Sequence, residues 1–593
     1  DNITIGGNIS QDSGTVKLDG NHPVGTQNVA LGDTALDSNT TGGRNTAIGA
    51  NAMTTYNVTD SGNDFNVAVG YNSLTSLTTG FSNTGVGSLT LESTTTGANN
   101  TACGYGALDS NTTANNNTAV GYDALTANTT GDRNVAVGTT SLDANTTGVR
   151  NVAIGYNAMT SNTTGGRNTA VGHSALATYN VTDSGVDYNT AIGYSALNST
   201  TTGEINTAVG GLAMELNTTG GSNVSCGYQA LYANTTGSLN VAVGAQALDA
   251  NTTASSNTAI GQNSMTANTT GAENVAVGRA SLQNNTTASA NTAVGYAAMD
   301  ANTTGGSNTA VGSTALAANT TGASGTAVGR FALEVNTTGN HNTAVGQSAL
   351  EKNTTGSNNA AVGLGALDSQ TTGANNVALG YQAGQAITTN GDSTFVGMQA
   401  GYNTTGNRNQ FFGYAAGGEV TTGSNNVILG RYSGNQGSLD IRTASNHIVL
   451  SDGDGNPRGF FDNTGLFYAP ASYSSTTGNP VNTVLLSNGA LLRSTSSRRY
   501  KNTISDATHG LAELLALRPV TYKGNNDGDT IFGGLIAEEV HDAGLTEFVT
   551  YNDDNQPDAL AYGNMVSLCI KAIQEQQETI TALEARIATL EGE

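Results

Sequence analysis

The sequence predicts a mainly β fold: a 17-residue-repeat β-roll or β-solenoid shaft, a β-hairpin connector, and a small α+β domain that ends in a coiled-coil helix. Three observations carry this reading. A 17-residue sentence recurs 24 times between Asn28 and residue 442. The 593 residues include 78 Gly and no Trp, and only 11% are charged, which suits closely stacked small-residue coils better than one large globular core. Composition then changes abruptly near Ser494. The expected organisation is an N-terminal β segment (1–27), the repeat shaft (28–442), the connector (443–495), the small domain (496–564) and the terminal coiled coil (565–593).

The repeat reads N-[TV]-A-[VIL]-G-x-x-[AS]-[LM]-x-x-N-T-T-G-x-x, with starts at Asn28, Asn45, Asn66, Asn83 and onward to Asn426. A fixed internal period of this size is the mark of a solenoid. Repeat positions 2 and 4 alternate with Ala at position 3, the period of a short strand. Placing the aliphatic pair inward makes a core of Val and Leu ladders and leaves the Ala face to be covered by another chain. Gly at position 5 breaks the strand. Leu or Met at position 9 marks a second short strand, and N-T-T-G supplies a turn. At about 4.8 Å per coil, 24 coils make a rod on the order of 115 Å long.

Several features were weighed for function. TYNVTDSG is inserted twice (Thr55–Gly62 and Thr178–Gly185), and Cys103 and Cys226 repeat at the same 123-residue offset, so a block of seven coils looks duplicated. The inserts, with Tyr and Asp, are the best ligand-binding protrusions the shaft offers. Cys103 and Cys226 stand where Val or Ile usually does, which predicts buried small hydrophobes. His173 and His341 are isolated and receive no role. The N-T-T-G loops admit three readings: turn and self-stacking ladder, which is favoured; glycosylation sequon; or an ice-binding threonine array. A net charge of −24 argues against nucleic acid, and no run of 18 apolar residues predicts a membrane span. No motif calls for a cofactor or a metal. Asp452, Asp454 and Asn456 resemble the opening of a calcium loop, but Pro457 and Asn463 break the pattern and a plain turn is favoured. Around it, SNHIVLSDGDGNPRGFFDNTGLFY reads as β-hairpins, and Tyr473–Asn482 as a loop.

The shaft repeats resemble the head repeats of trimeric autotransporter adhesins, whose coils carry a similar N-x-[VA]-[AV]-[IV]-G element. That resemblance implies a trimeric left-handed β-roll displayed at a surface. The last hundred residues, with SSRRYKNTI, GGLIAEEV and ALAYGNMVSLCIKAIQEQ, resemble the endosialidase-type intramolecular chaperone domain of phage tail spikes and fibres. Its opening motif is close to S-D-x-R-L-K-x-N-I. Ser496, Arg499, Lys501 and Ile504 match it, while Ser497, Tyr500 and Thr503 replace the usual Asp, Leu and Asn. Gly534–Val540 and Tyr562 match later elements. The resemblance implies trimerisation and autoproteolysis, with Ser496 as nucleophile, Lys501 as base and the Thr495–Ser496 bond cut. A serine hydroxyl needs a base to become a nucleophile, and lysine serves when desolvation lowers its pKa.

Val566, Ile573, Ile580 and Ile587 fall on a positions, and Cys569, Gln576, Leu583 and Leu590 on d positions, a seam of about four heptads. The expected protein is a homotrimeric phage tail fibre or related surface appendage, located in a virion or at a cell surface. Its partners are copies of itself and a host receptor or glycan that no residue identifies. The only enzymatic activity expected is self-cleavage. A cell-anchored trimeric adhesin and an ice- or carbohydrate-binding solenoid are the alternatives.

Overall fold

The computed structural model describes residues 27–58, 64–181, 187–469, 483–485, 491–493, 501–524, 529–552 and 554–592. They fall into two compact units, one ending at Ser474 and the other beginning at Ser475. Most of the expected N-terminal segment (residues 1–26) and the Tyr473–Asn482 loop lie outside the described residues.

The first unit is a parallel β-solenoid. Each coil contributes one three-residue strand, from β1 (Val29–Leu31) through β24 (Val427–Leu429). Successive strands pair parallel and in register, as Thr118↔Val135 and Val120↔Val137 do. After β24 comes a small excursion, β25 (Asn435–Gln436) and β26 (Leu439–Asp440), plugged by buried Tyr432, whose hydroxyl donates to the Leu439 carbonyl at 2.7 Å. β27 (Ile448–Ser451) then continues the parallel ladder on β24. β28 (Pro457–Phe461) and β29 (Phe467–Tyr468) fold back antiparallel, the hairpins expected in the connector.

The coil differs from its expectation in three ways. First, it has one strand, not two. The Leu/Met segment is a turn in which non-glycine residues take left-handed φ: Asp123 (51°), Leu125 (57°) and Arg133 (59°) in one coil. Such residues are strained by roughly 1 kcal/mol or more each. The left-handed residues alternately send their N–H groups to the coil behind and the coil ahead. Asp123 and Arg133 donate back to Tyr105 and Asn115 carbonyls at 2.9 and 3.0 Å, and Leu125 donates forward to Ser141 at 3.0 Å. Nearly continuous inter-coil hydrogen bonding offsets the strain.

Second, the strand faces the other way. Ala at repeat position 3 is buried, as Ala119, Ala136 and Ala153 show, whereas the aliphatic residues at positions 2 and 4 point outward. The interior is too narrow for two large ladders, and Leu or Met at position 9 already fills it. Late coils confirm the size limit. Where position 3 becomes Phe395 or Phe411, position 9 of the same coil is Gly401 or Gly417, and position 9 of the coil before Phe395 is Gly384; a Cβ on Gly401 would lie 2.4 Å from the Phe395 ring. Third, Cys103 and Cys226, on position 4, are exposed rather than buried.

Glycine at position 5 is required by close approach. Gly121 has φ +143°, and a Cβ there would meet the Gly138 carbonyl oxygen at 2.4 Å.

Two asparagine columns complete the interior. The asparagine of position 1 accepts the next coil's backbone N–H through its side-chain oxygen, as Asn134 N–H does to Asn117 Oδ1 at 2.8 Å. The asparagine of N-T-T-G donates Nδ2 to its counterpart one coil back, as Asn145 does to Asn128 at 2.8 Å.

The second unit is small and α+β. It contains antiparallel pairs β30 (Thr483–Leu485) with β31 (Leu491–Arg493), β32 (Val520–Lys523) with β33 (Ile531–Gly534), and β34 (Val549–Tyr551) with β35 (Pro557–Leu560). Among the described residues three α-helices accompany them: α1 (Leu511–Ala516), α2 (Ala537–Asp542) and α3 (Tyr562–Glu591). Val540, Leu545, Phe548, Val549, Met565 and Leu568 form the core.

Candidate functional site

The C-terminal unit is tied together around the start of α3. Tyr562 begins that helix, and its hydroxyl accepts from the Leu535 N–H at 2.7 Å and donates to the Leu535 carbonyl at 3.2 Å. The two motif elements singled out in the sequence, Gly534–Val540 and Tyr562, therefore meet in the structure. Thirteen residues further along α3, Glu575 accepts from the Leu511 N–H at 2.7 Å and caps α1. Glu513 accepts from the Gly510 N–H at 2.8 Å, and that bond holds its carboxyl below the usual range. A Cβ at residue 510 would come within 2.2 Å of Glu575 Oε2, so a side chain there would push that carboxylate aside. Arg518 pairs with Glu539, and the guanidinium's hydrogen bonds lower the Glu539 carboxyl. His509 Nδ1 lies 2.7 Å from Glu547 Oε1. Glu539 is the acid of the Gly534–Val540 element found in the sequence, whereas Glu575 and Glu513 do not stand out there, since each is one acid among 44.

Lys501 is exposed. Thr495 and Ser496 lie outside the described residues, as do Ser497, Arg499 and Tyr500.

Residues 496–550 match the family whose description is chaperone of endosialidase. The chain carries an endosialidase-type chaperone domain. No curated protein and no solved structure matches the chain. The chaperone domain thus follows a solenoid whose coils are close to interchangeable, an organisation that fits a phage tail-fibre-like protein with an intramolecular chaperone.

On α3 of the chaperone domain, Met565, Leu568 and Ala572 face the core. The expected seam residues Val566, Ile573, Ile580, Leu583, Ile587 and Leu590 are all exposed in the single chain. Val566 and Cys569 also border an open apolar groove of about 440 Å³ with Leu514, Leu517 and Leu535.

The shaft's candidate features prove structural. Tyr56 and Tyr179 of the two inserts are buried within the coil, and Asp64 and Asp187 accept backbone N–H bonds from Gly43 and Gly166 at 2.8 and 2.9 Å. The two insert tyrosines therefore face inward, as do Asp64 and Asp187 just beyond the inserts, while insert residues 59–62 and 182–185, Asp60 and Asp183 among them, lie outside the described residues. Most N-T-T-G asparagines are buried, so the folded coil hides the amide a glycan would need; Asn403, in the one 16-residue coil, is exposed. The first threonine of the loop donates to the next coil's carbonyl, as Thr129 does to Thr146 at 3.1 Å. Asp452 caps a hairpin turn. Desolvation raises its carboxyl, but donors from Asn456, Arg458 and Asp454 outweigh that and hold it at about 2. Among the described residues, no group of three or more His, Cys, Asp or Glu could hold a metal ion, and no helix is long and apolar enough to cross a membrane.

Proposed function

We propose that the chain is a homotrimeric fibre of a phage tail or related surface appendage. Its chaperone domain brings three chains into register and then releases itself by autoproteolysis. The observation that carries this is the conjunction of a chaperone-family domain with a 24-strand ladder of equivalent rungs. A slip of one coil restores almost every contact, so the ladder alone cannot choose its register. A globular trimer at one end chooses it, and tethering also lowers the entropy of the later pairings.

In the cleavage step, the Lys501 amine takes the Ser496 hydroxyl proton and Oγ attacks the Thr495 carbonyl carbon. The Thr495–Ser496 C–N bond breaks, and the proton passes to the Ser496 nitrogen. Water then hydrolyses the resulting ester and leaves a carboxylate at Thr495 and a free amine at Ser496. Lys501 is exposed in the single chain, and a lysine base needs desolvation. Covering of Lys501 by neighbouring copies therefore ties cleavage to assembly. Host attachment by the released shaft completes the reading.

Intact mass of the purified protein tests it, beside Ser496→Ala and Lys501→Ala. The expected wild-type product ends at Thr495, and both variants stay full length. A full-length wild type would refute self-release and leave the domain as a permanent clamp.

A further inference from the structure

The outward face of the ladder carries two columns. Repeat position 2 is Thr or Val in nearly every strand, with Ala360 and Gln410 as the departures. Position 4 is Val, Ile, Leu, Cys or Phe throughout. No charged residue stands at either position in any of the 24 strands, although the chain holds 20 Lys and Arg and 44 Asp and Glu. Along position 4, Val86, Val120, Ile154, Ile192, Ile260, Val311, Val362, Leu379 and Leu429 are 36–49% exposed. Twenty-four rungs make a face on the order of 110 Å long; at about 10 Å across it covers roughly 1,100 Å², against about 800 Å² per partner in a stable interface. Isolated exposed aliphatics need no explanation, but a continuous stripe of this size does.

We propose that this face is where copies of the chain meet, parallel and in register, with position 4 of each copy facing position 4 of the others. The proposal rests on the homotrimer reading and names its surface. A second copy is the occupant that fits. It supplies an uncharged aliphatic column with the same rung spacing, and the chaperone domain sits at the same end of each chain. The alanine column cannot serve, because each coil already buries it. The side of the coil bearing position 10 is unsuited, because Asp109, Asp143, Asp249, Asp300, Glu334, Glu351 and Asp368 lie there and parallel copies would oppose like charges. An ice-binding role for the stripe is disfavoured by the threonine column itself, which Val135, Val152, Val224, Val241 and Val275 interrupt.

The duplicated block makes one wrong register competitive with the right one: a slip of 123 residues, seven coils, superposes the two inserts and the two cysteines on similar sequence. Cys103 and Cys226 lie at that offset, and both are exposed on position 4. They report the register directly.

The experiment oxidises the full chain after its mass in solution has been measured, then maps the disulfides by peptide mass spectrometry. The expected result is a trimer with Cys103–Cys103 and Cys226–Cys226 bonds. At most two of three chains link at each level, and one thiol stays free. A trimer without either bond would overturn the proposed face while leaving the trimer intact. A Cys103–Cys226 bond between chains would overturn the register. A monomer would overturn the homotrimer reading itself. As a second measurement, Val243→Asp combined with Ile260→Asp is expected to lower the solution mass to that of one chain with the β signal unchanged, because both side chains are peripheral to their own coil. Thr236→Asp, at an exposed loop position, is the control and is expected to remain trimeric. A trimer that tolerates the paired aspartates refutes the face.

Discussion

Asn145 offers the sharpest test of what holds a coil closed. Its side chain is buried, donates to Asn128 Oδ1 at 2.8 Å and to the Gly148 carbonyl at 3.1 Å, and accepts from Asn162 Nδ2 at 3.0 Å. In Asn145→Ala, Gly148 keeps the donor it has from Asn134 at 2.9 Å, and Asn162 keeps its bond to Gly165. Two groups are left without partners: the Asn128 side-chain oxygen and one Asn162 amide hydrogen. At about 1–3 kcal/mol for each buried orphan, the local loss is about 2–6 kcal/mol. Asn145→Asp should lose more, because a carboxylate presents acceptors to two acceptors. Native-state hydrogen exchange reads the effect strand by strand. The amides of β7 (Val135–Val137) and β8 (Val152–Ile154) should exchange faster by the factor that loss implies, while β13 (Val241–Val243) and later strands stay unchanged, since each coil touches only its neighbours. A loss under about 1 kcal/mol at β7 and β8 would refute the view that the buried amide column, rather than the turn alone, closes the coil.

Other outcomes follow from the same packing. Asp109 has a carboxyl raised to about 6, first by burial and then by neighbouring Glu92. A carboxyl raised on folding stabilises fully below its unfolded pKa, near 3.8, and that contribution is lost as pH rises through about 6. Asp109→Asn should therefore raise the melting temperature relative to wild type at pH 8 and not at pH 4; after discounting for its partial exposure the gain is about 1 kcal/mol. Gly401→Leu should destabilise by about 1–3 kcal/mol through overlap with Phe395, and Phe395→Ala in the same chain should recover much of it by restoring the common coil; denaturant melts of the four-way cycle measure the coupling. Tyr562→Phe removes the exposed bonds between its hydroxyl and Leu535 and, with water able to take their place, should lower the stability of the C-terminal unit by about 0.5–1 kcal/mol in thermal melts.

The repeat period, the strand position and the N-T-T-G turn were legible because they depend on spacing. The direction of the strand was not. Alternation shows that positions 2 and 4 share a face opposite Ala, but which face is inside depends on the coil's cross-section, which Leu125 and its counterparts already occupy. The compensating pair Phe395 and Gly401 carried that information in the sequence, in the late coils. The left-handed Leu residues were illegible for another reason: leucine disfavours that conformation in isolation, and only hydrogen bonds to the coils on either side sustain it. In the C-terminal unit, the Gly534–Val540 element and Tyr562 were found as separate motifs, and their contact through one hydroxyl came only with the fold. Glu575 reaches α1 across 64 residues of sequence and gives no local sign.

The antiparallel turn at the far end of the ladder has a further meaning. A solenoid whose every rung presents the same open row of N–H and C=O groups is, in kinetic terms, a living polymer: any strand of similar sequence, including the first coils of another molecule, can add to the exposed row and leave a fresh one behind. β27 is the last parallel rung, and β28 lies against it in the opposite sense, so the free row carries a different hydrogen-bond pattern from the one a further coil would match. The hairpin ends growth as a chain terminator does. It sets where the shaft stops by sequence rather than by concentration, and it removes this end of a template of 24 interchangeable rungs as a seed for filaments.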